Sequence, residues 1–222
     1  PYTTLFRSYS YVAELNSDWT DNLHTQLRIS YRDYERRQLP PSGQDFADIT
    51  VCTAPTSINS GGDNLTSCGA TSVVRFGPDE FRQANELATD TFQIQAKAEY
   101  SIGDNLLKFG YQMKNQEIYN LFVPTSDGVY YFDSIADFTN GTAGQLRYAN
   151  SVGGKTVESS AAALSYKVHS VYLQDALAVT PDLNITAGFR YDWFVSDSKP
   201  VLNSNFVARN GFSNQSTYDG RS

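Results

Sequence analysis

Apolar and polar residues alternate over six stretches of this chain, giving each the period-two pattern of a β-strand with one apolar face. In Asn22–Arg37, Leu23, Leu27, Ile29 and Tyr31 share a face with Thr25, opposite His24, Gln26, Arg28, Ser30 and Arg32. Thr91–Ser101 sets Phe92, Ile94, Ala96, Ala98 and Tyr100 against Gln93, Gln95, Lys97 and Glu99. Leu107–Lys114 sets Leu107, Phe109, Tyr111 and Met113 against Lys108, Gly110, Gln112 and Lys114. Leu183–Trp193 sets Leu183, Ile185, Ala187, Phe189, Tyr191 and Trp193 against Asn184, Thr186, Gly188, Arg190 and Asp192. Two stretches are less regular. Tyr9–Trp19 places Tyr9, Tyr11, Ala13 and Leu15 on one side, with Val12 interrupting the other. Lys167–Val179 opposes Val171, Leu173 and Leu177 to Ser170, Tyr172 and Gln174.

The connections between these stretches divide sharply by length. Ser17–Asn22, Ile102–Asn105 and Thr180–Asn184 are short and use Asp, Asn, Gly or Pro, as tight hairpins require. The intervening segments are long: about 50 residues from Gln38, about 40 from Val123 and at least 25 from Val195. Short turns at one end and long loops at the other predict an all-β fold. Its form is an antiparallel up-and-down meander, part of the wall of a large transmembrane β-barrel with long extracellular loops. Aromatics near strand ends (Tyr9, Trp19, Tyr31, Phe92, Tyr100, Tyr191, Trp193) match interfacial girdles. The competing architecture is a soluble β-sandwich, whose apolar strand faces pack against a second sheet. In function that alternative is a secreted carbohydrate-binding module.

Composition agrees with sheet. Of the 222 residues, 14% are aromatic, with 15 Tyr and 13 Phe, and only 18% are charged. The net charge of −7 argues against a nucleic-acid partner, which demands a basic face. No run of about 18 apolar residues is present, which excludes a helical span and leaves membrane strands open.

Catalytic chemistry finds little support. His24 and His169 are the only histidines, both at or near the polar pattern, and read as lumen- or interface-facing rings rather than a general base or metal ligand. Asp45 with Asp48, and Asp63 beside Asn64, offer carboxylates without EF-hand spacing and read as turn formers. The stretches Ser42–Asp45 and Asn59–Gly62 lack the strand–helix setting of a phosphate loop. The chain thus predicts no catalytic residue, metal site or cofactor. Cys52 and Cys68, the only cysteines, lie in a Ser/Thr/Asn/Gly-rich segment and read as a disulfide formed in an oxidising compartment. The candidate ligand-facing residues are Tyr130, Tyr131, Phe132 and Asp133 in the second long connection, because loops on a rigid wall carry recognition. Glu80–Leu87 reads as a short structural helix. Candidates for a water-filled lumen are Arg28, Arg32, Lys97, Glu99, Lys108, Gln174 and Arg190.

His169–Phe194 resembles the barrel hairpin of TonB-dependent outer-membrane receptors, through Tyr172, Gln174, Asp175, Thr180, Pro181, Leu183, Gly188, Arg190, Tyr191 and Asp192. Leu106–Phe122 is similar to another strand of that family. Arg75–Leu87 and Phe206–Gly220 resemble its Oar-like branch, whose members usually carry a carboxypeptidase-regulatory-like domain ahead of a plug. The resemblance implies a 22-stranded barrel with an internal plug in the outer membrane of a Gram-negative bacterium. It implies lipid around the wall and import of a scarce ligand (peptide, carbohydrate or metal chelate). The TonB complex would supply the energy through parts of the protein absent here. One permitted coding of Pro1–Ser8, CCC TAC ACG ACG CTC TTC CGA TCT, matches the end of a widely used sequencing adapter. Residues 1–8 are therefore expected to be non-native, with Arg221–Ser222 as a weaker counterpart. Residues 9–222 are then an internal slice of about six strands, with the plug and barrel closure outside it; six strands alone would leave open edges in lipid. Different codons at Pro1–Ser8 would refute the adapter origin.

Overall fold

The computed structural model describes residues 3–41, 43, 45–55, 68, 72–151, 156–196 and 198–215. Pro1, Tyr2, Asp63, Asn64, residues 59–62 and Arg221–Ser222 lie outside the described residues. In chain order the strands are β1 (Thr3–Thr20), β2 (Leu23–Leu39), β3 (Asp48–Cys52), β4 (Val73–Phe76), β5 (Asn85–Ile102), β6 (Asn105–Phe122), β7 (Val129–Phe132), β8 (Gln145–Arg147), β9 (Ala162–Thr180) and β10 (Leu183–Val195). Two short helices accompany them, α1 (Ile135–Asn140) and α2 (Ser204–Asn210). The six long strands form one sheet in the order β1-β2-β5-β6-β9-β10, an antiparallel meander that follows the chain. A second sheet, β4-β3-β7-β8, is built from the two long connections.

The chain divides into two compact units: residues 8–34, 89–118 and 163–222, and residues 1–7, 35–88 and 119–162. In the first, the tight turns are tied by side chains and by their neighbours. Thr20 Oγ1 accepts from Leu23 N at 3.1 Å. Asn22 O accepts from Ser101 N, and Asp104 O from Ala178 N, each at 2.9 Å. β9 and β10 run in register from Leu183↔Thr180 to Val195↔Lys167, with one irregularity at Leu183/Asn184. β1 takes in residues 3–8 as well as the alternating stretch from Tyr9.

The apolar faces of these strands are open. Tyr11, Leu15, Leu27, Ile29, Phe92, Phe109, Leu173 and Ile185 are exposed, and Phe189 is 63% exposed. A sandwich would bury these side chains against its second sheet, and here nothing of this unit covers them. His169 departs from the expectation that placed it near the polar pattern. It shares a face with Val171 and stacks on Trp193 (5.2 Å between ring centres, 12° between planes). Tyr111 also lies on this ring at 6.1 Å, its hydroxyl 2.8 Å from His169 Nδ1, and Tyr191 stacks on Trp193 at 5.7 Å. The parity rule holds: His169 is two residues from Val171 and so points to the same side.

On the opposite face Gly110 is required by close approach. A Cβ there would lie 2.5 Å from the Tyr172 hydroxyl and 2.7 Å from the Ala96 carbonyl oxygen. Gly110→Val is expected to cost about 1–3 kcal/mol through overpacking against backbone that cannot yield. A lowered unfolding midpoint in denaturant checks this, and an unchanged midpoint would contradict the packing.

The second unit has its own small cores. Phe132, 7% exposed, meets Phe138 edge-on at 5.2 Å, Phe138 meets Phe76 at 5.7 Å, and Phe76 meets Phe46 at 6.4 Å. Ala84, Leu121 and Val123 form another, flanked by Tyr119, Val157 and Ala161. The sequence reading left this sheet unassigned. It includes a parallel pair, β3 with β7, from Asp48↔Val129 to Val51↔Phe132, joined by the long crossover that parallel strands require. Gly77 lies beside it at φ +93°, where a Cβ would collide with the Ala47 carbonyl oxygen. The expected helix over Glu80–Leu87 is a single 3₁₀ turn, Glu80–Arg82, capped by Asp79, after which β5 begins at Asn85. α1 is capped by Ser134 and ends at left-handed Gly141.

Candidate functional site

The loop-borne unit is held together by buried polar contacts. Gln83, only 3% exposed, donates from Nε2 to the Gly128 carbonyl at 2.8 Å, and its Oε1 accepts from Asp127 N at 2.9 Å. The same carbonyl accepts from Asp48 N at 3.1 Å, so the turn that Gln83 holds is also tied through its backbone to the start of β3. Thr125 in that turn has φ +64° and Gly128 has φ +89°. The turn stays in this shape because its polar groups are satisfied from Gln83 and from Glu80 O, which accepts from Thr125 N at 3.1 Å. Beside it opens a cleft of about 170 Å³, walled by Arg37, Asp45, Glu86, Asp127 and Glu158, with Gln83 and Ser126 among its lining. Arg37 pairs with Glu35 at 2.7 Å and with Glu86 at 3.1 Å.

The predicted disulfide joins Cys52, the last residue of β3, to Cys68, with Cα atoms 5.8 Å apart. Tyr130, Tyr131 and Phe132 lie in β7, and Asp133 follows it. Tyr130 stacks on Phe132 at 6.4 Å, and both belong to the aromatic packing of this sheet. Tyr131 takes the other side of the strand, opposite Thr50 and Gln145. Asp133 packs its carboxylate against Gly144, leaving no space for a Cβ there.

Of the lumen candidates, Lys97, Glu99 and Lys108 are brought together, with Glu99 3.5 Å from Lys97 and 3.4 Å from Lys108. Arg190 gathers Ser170 (2.7 Å), Gln112 (3.1 Å) and Asp192 (2.9 Å). Gln174 borders the same hollow, with Tyr172 and Gly188. Arg32 sits over the Tyr34 ring at 5.5 Å and reaches Ser8 Oγ at 3.3 Å. Arg28 stands exposed on its strand. These contacts make one polar surface opposite the apolar one. Among the described residues no cluster of three His, Cys, Asp or Glu side chains is placed to hold a metal.

A sheet with one open apolar face and one polar face needs a partner for the first. A protein-family model described as an outer membrane beta barrel domain matches residues 2–221. The chain belongs to that family. No curated protein and no solved structure matches it. Among the described residues no helix is long and apolar enough to cross a membrane; barrels of the outer-membrane kind cross with strands. In such barrels an apolar strand face meets lipid and a polar one the lumen.

Strand length fits that placement. β10 has 13 residues, and 9–11 tilted residues span the hydrocarbon. The stretch from Leu183 to Trp193 is therefore long enough to cover about one bilayer core, and the Tyr111–His169–Trp193 cluster lies at its end far from the tight turn. Trp19, by the first tight turn, donates to Thr25 Oγ1 at 2.8 Å and suits the other interface. The 17 to 19 residues of the remaining long strands exceed what lipid requires, so part of each lies in water.

The barrel's loop unit carries two perturbed carboxylates. Burial, and then the charges of Asp79 and Glu80, raise Asp48 above the ordinary aspartate value against the pull of Arg75. Burial, and then Asp45, raise Asp127. A folded-state value above the unfolded one favours folding at low pH and is lost as pH rises through it. Amides of β3 are therefore expected to exchange more slowly at mildly acidic pH than at neutrality, after correction for intrinsic rates. Faster corrected exchange in acid would contradict this. Sequence reading missed the cleft and Gln83, since neither has a motif. The nearest signal was the β-branched and aromatic runs at Ile49–Val51, Val73–Phe76 and Val129–Phe132, each too short to assign.

Proposed function

We propose that this outer-membrane barrel segment is wall and extracellular loop of a TonB-dependent receptor of the Oar-like kind. The parent takes up a scarce ligand with energy relayed from the inner membrane and performs no catalysis. The motif hairpin carries this reading. Tyr172 pairs with Arg190, Gln174 with Gly188 and Ser170 with Asp192 across β9 and β10, so five of the residues that resemble the receptor family share the polar face of one hairpin, while Asp175 and Tyr191 fall on the other face. Folded, disulfide-tied loops also suit a receptor, because a rigid loop loses less entropy when it captures a ligand. The imported ligand is a peptide, carbohydrate or metal chelate, and TonB would act through other parts of the parent.

Comparing solute depletion from the medium by cells with and without the parent gene, in backgrounds with and without TonB, tests the reading. Depletion that needs both genes is expected. Depletion indifferent to TonB would point to a passive channel instead.

A further inference from the structure

Among the described residues, the cleft beside the Gln83 tie presents four carboxylates, on Asp45, Glu86, Asp127 and Glu158, against the single guanidinium of Arg37. Arg37 is already engaged by Glu35 and Glu86, which leaves Asp45, Asp127 and Glu158 without a cation from the lining. A second feature is independent of this charge. Ser126 lines the same cleft, is 5% exposed, and its hydroxyl finds no hydrogen-bond partner among the described residues. A buried hydroxyl left unsatisfied costs about 1–3 kcal/mol, so it is a standing acceptor for a group from outside. The backbone around it is fixed by Gln83 and by Ala149 N donating to Thr125 O at 3.2 Å, so the hydroxyl and carboxylates keep their places without a ligand.

We propose that this cleft binds an organic cation, the ammonium or guanidinium head of a basic ligand such as a lysine side chain. Size and donor geometry select this class. A closed cavity of about 150 Å³ holds a benzene-sized guest, so about 170 Å³ suits the end of one basic side chain. The carboxylates are not gathered into a metal-binding group, whereas an ammonium with three N–H donors can use spread acceptors. The raised affinity of Asp127 for protons, from burial and from Asp45, is the response of a carboxylate that lacks a positive neighbour. The proposal concerns binding only and stands whether or not the captured group is the cargo of import.

The test uses the purified parent in detergent micelles and a fluorescent trilysine peptide, with its side-chain-acetylated counterpart as the neutral probe. The charged probe is expected to bind at least about tenfold tighter than the neutral one. Asp45→Asn with Asp127→Asn should weaken it by about tenfold, the scale of one lost charged contact. Ser126→Ala should weaken it about threefold or more. Asp104→Asn, which removes a carboxylate outside the cleft, should change nothing. Both amide variants are isosteric and relieve like-charge repulsion, so folding is expected to persist, checked by near-UV circular dichroism. Equal binding of the two probes would overturn the proposal. So would equal loss in Asp104→Asn and the cleft variants, which would mean diffuse attraction to net charge. Displacement by Ca²⁺ beyond that by NaCl of equal ionic strength would also overturn it, in favour of a metal ion.

Discussion

Leu173→Arg is expected to destabilise the barrel by about 1–3 kcal/mol, between the mid-bilayer and the interfacial cost of a cationic side chain on the lipid face. Leu173 pairs with Phe189, six residues from Leu183 at the last tight turn and two from Tyr191 of the aromatic stack. Both side chains are exposed on the apolar face, so the guanidinium would replace a hydrocarbon surface that only lipid covers. Gln174→Arg, one residue along, would add the same charge to the lumen face and should cost less than about 1 kcal/mol. Refolding equilibria in lipid vesicles, titrated with guanidinium, give both values. Equal costs at the two positions would mean that the faces are not distinguished by solvent.

Reducing the Cys52–Cys68 bond is expected to remove about 3 kcal/mol from the loop unit, from chain entropy over a separation of 16 residues. The loss should be local. Cys52 is fully buried at the end of β3, whose neighbours are β4 and β7, so those three short strands lose their restraint first. Backbone exchange of Asp48–Cys52, Val73–Phe76 and Val129–Phe132 should accelerate under reductant, while that of β9 and β10 should not. Unchanged exchange in the small sheet would mean that Gln83 and the aromatic packing suffice without the bridge.

The wall was legible because alternation is a local property. Each residue of Leu183–Trp193 reports its face by parity alone, and short turns marked by Asp, Asn, Gly and Pro fixed which strands are neighbours. The same rule, applied strictly, would have put His169 with Val171 and Leu173. The loop unit was illegible for the opposite reason. β3 pairs in parallel with β7 across a long intervening segment, and three or four residues of Val, Ile, Tyr and Phe carry too little pattern to declare a strand. Gln83 looked like part of a helix because Glu80–Leu87 has helix-forming residues. What decides its conformation is the distant backbone of Asp127 and Gly128. The acidic cleft is hidden for a similar reason: Asp45, Glu86, Asp127 and Glu158 lie far apart in sequence and share only the lining of one cleft.

The central claim is that hydrocarbon touches one side of the long strands and water the other. Nitroxides placed singly at Asn184 through Tyr191, omitting Gly188, in the parent reconstituted into vesicles, read it most directly. Collision with oxygen should peak at Ile185, Ala187, Phe189 and Tyr191, and collision with a water-soluble nickel chelate at Asn184, Thr186 and Arg190. Loss of that two-residue rhythm, or protection of the odd positions from both reagents as in a protein interior, would contradict the account.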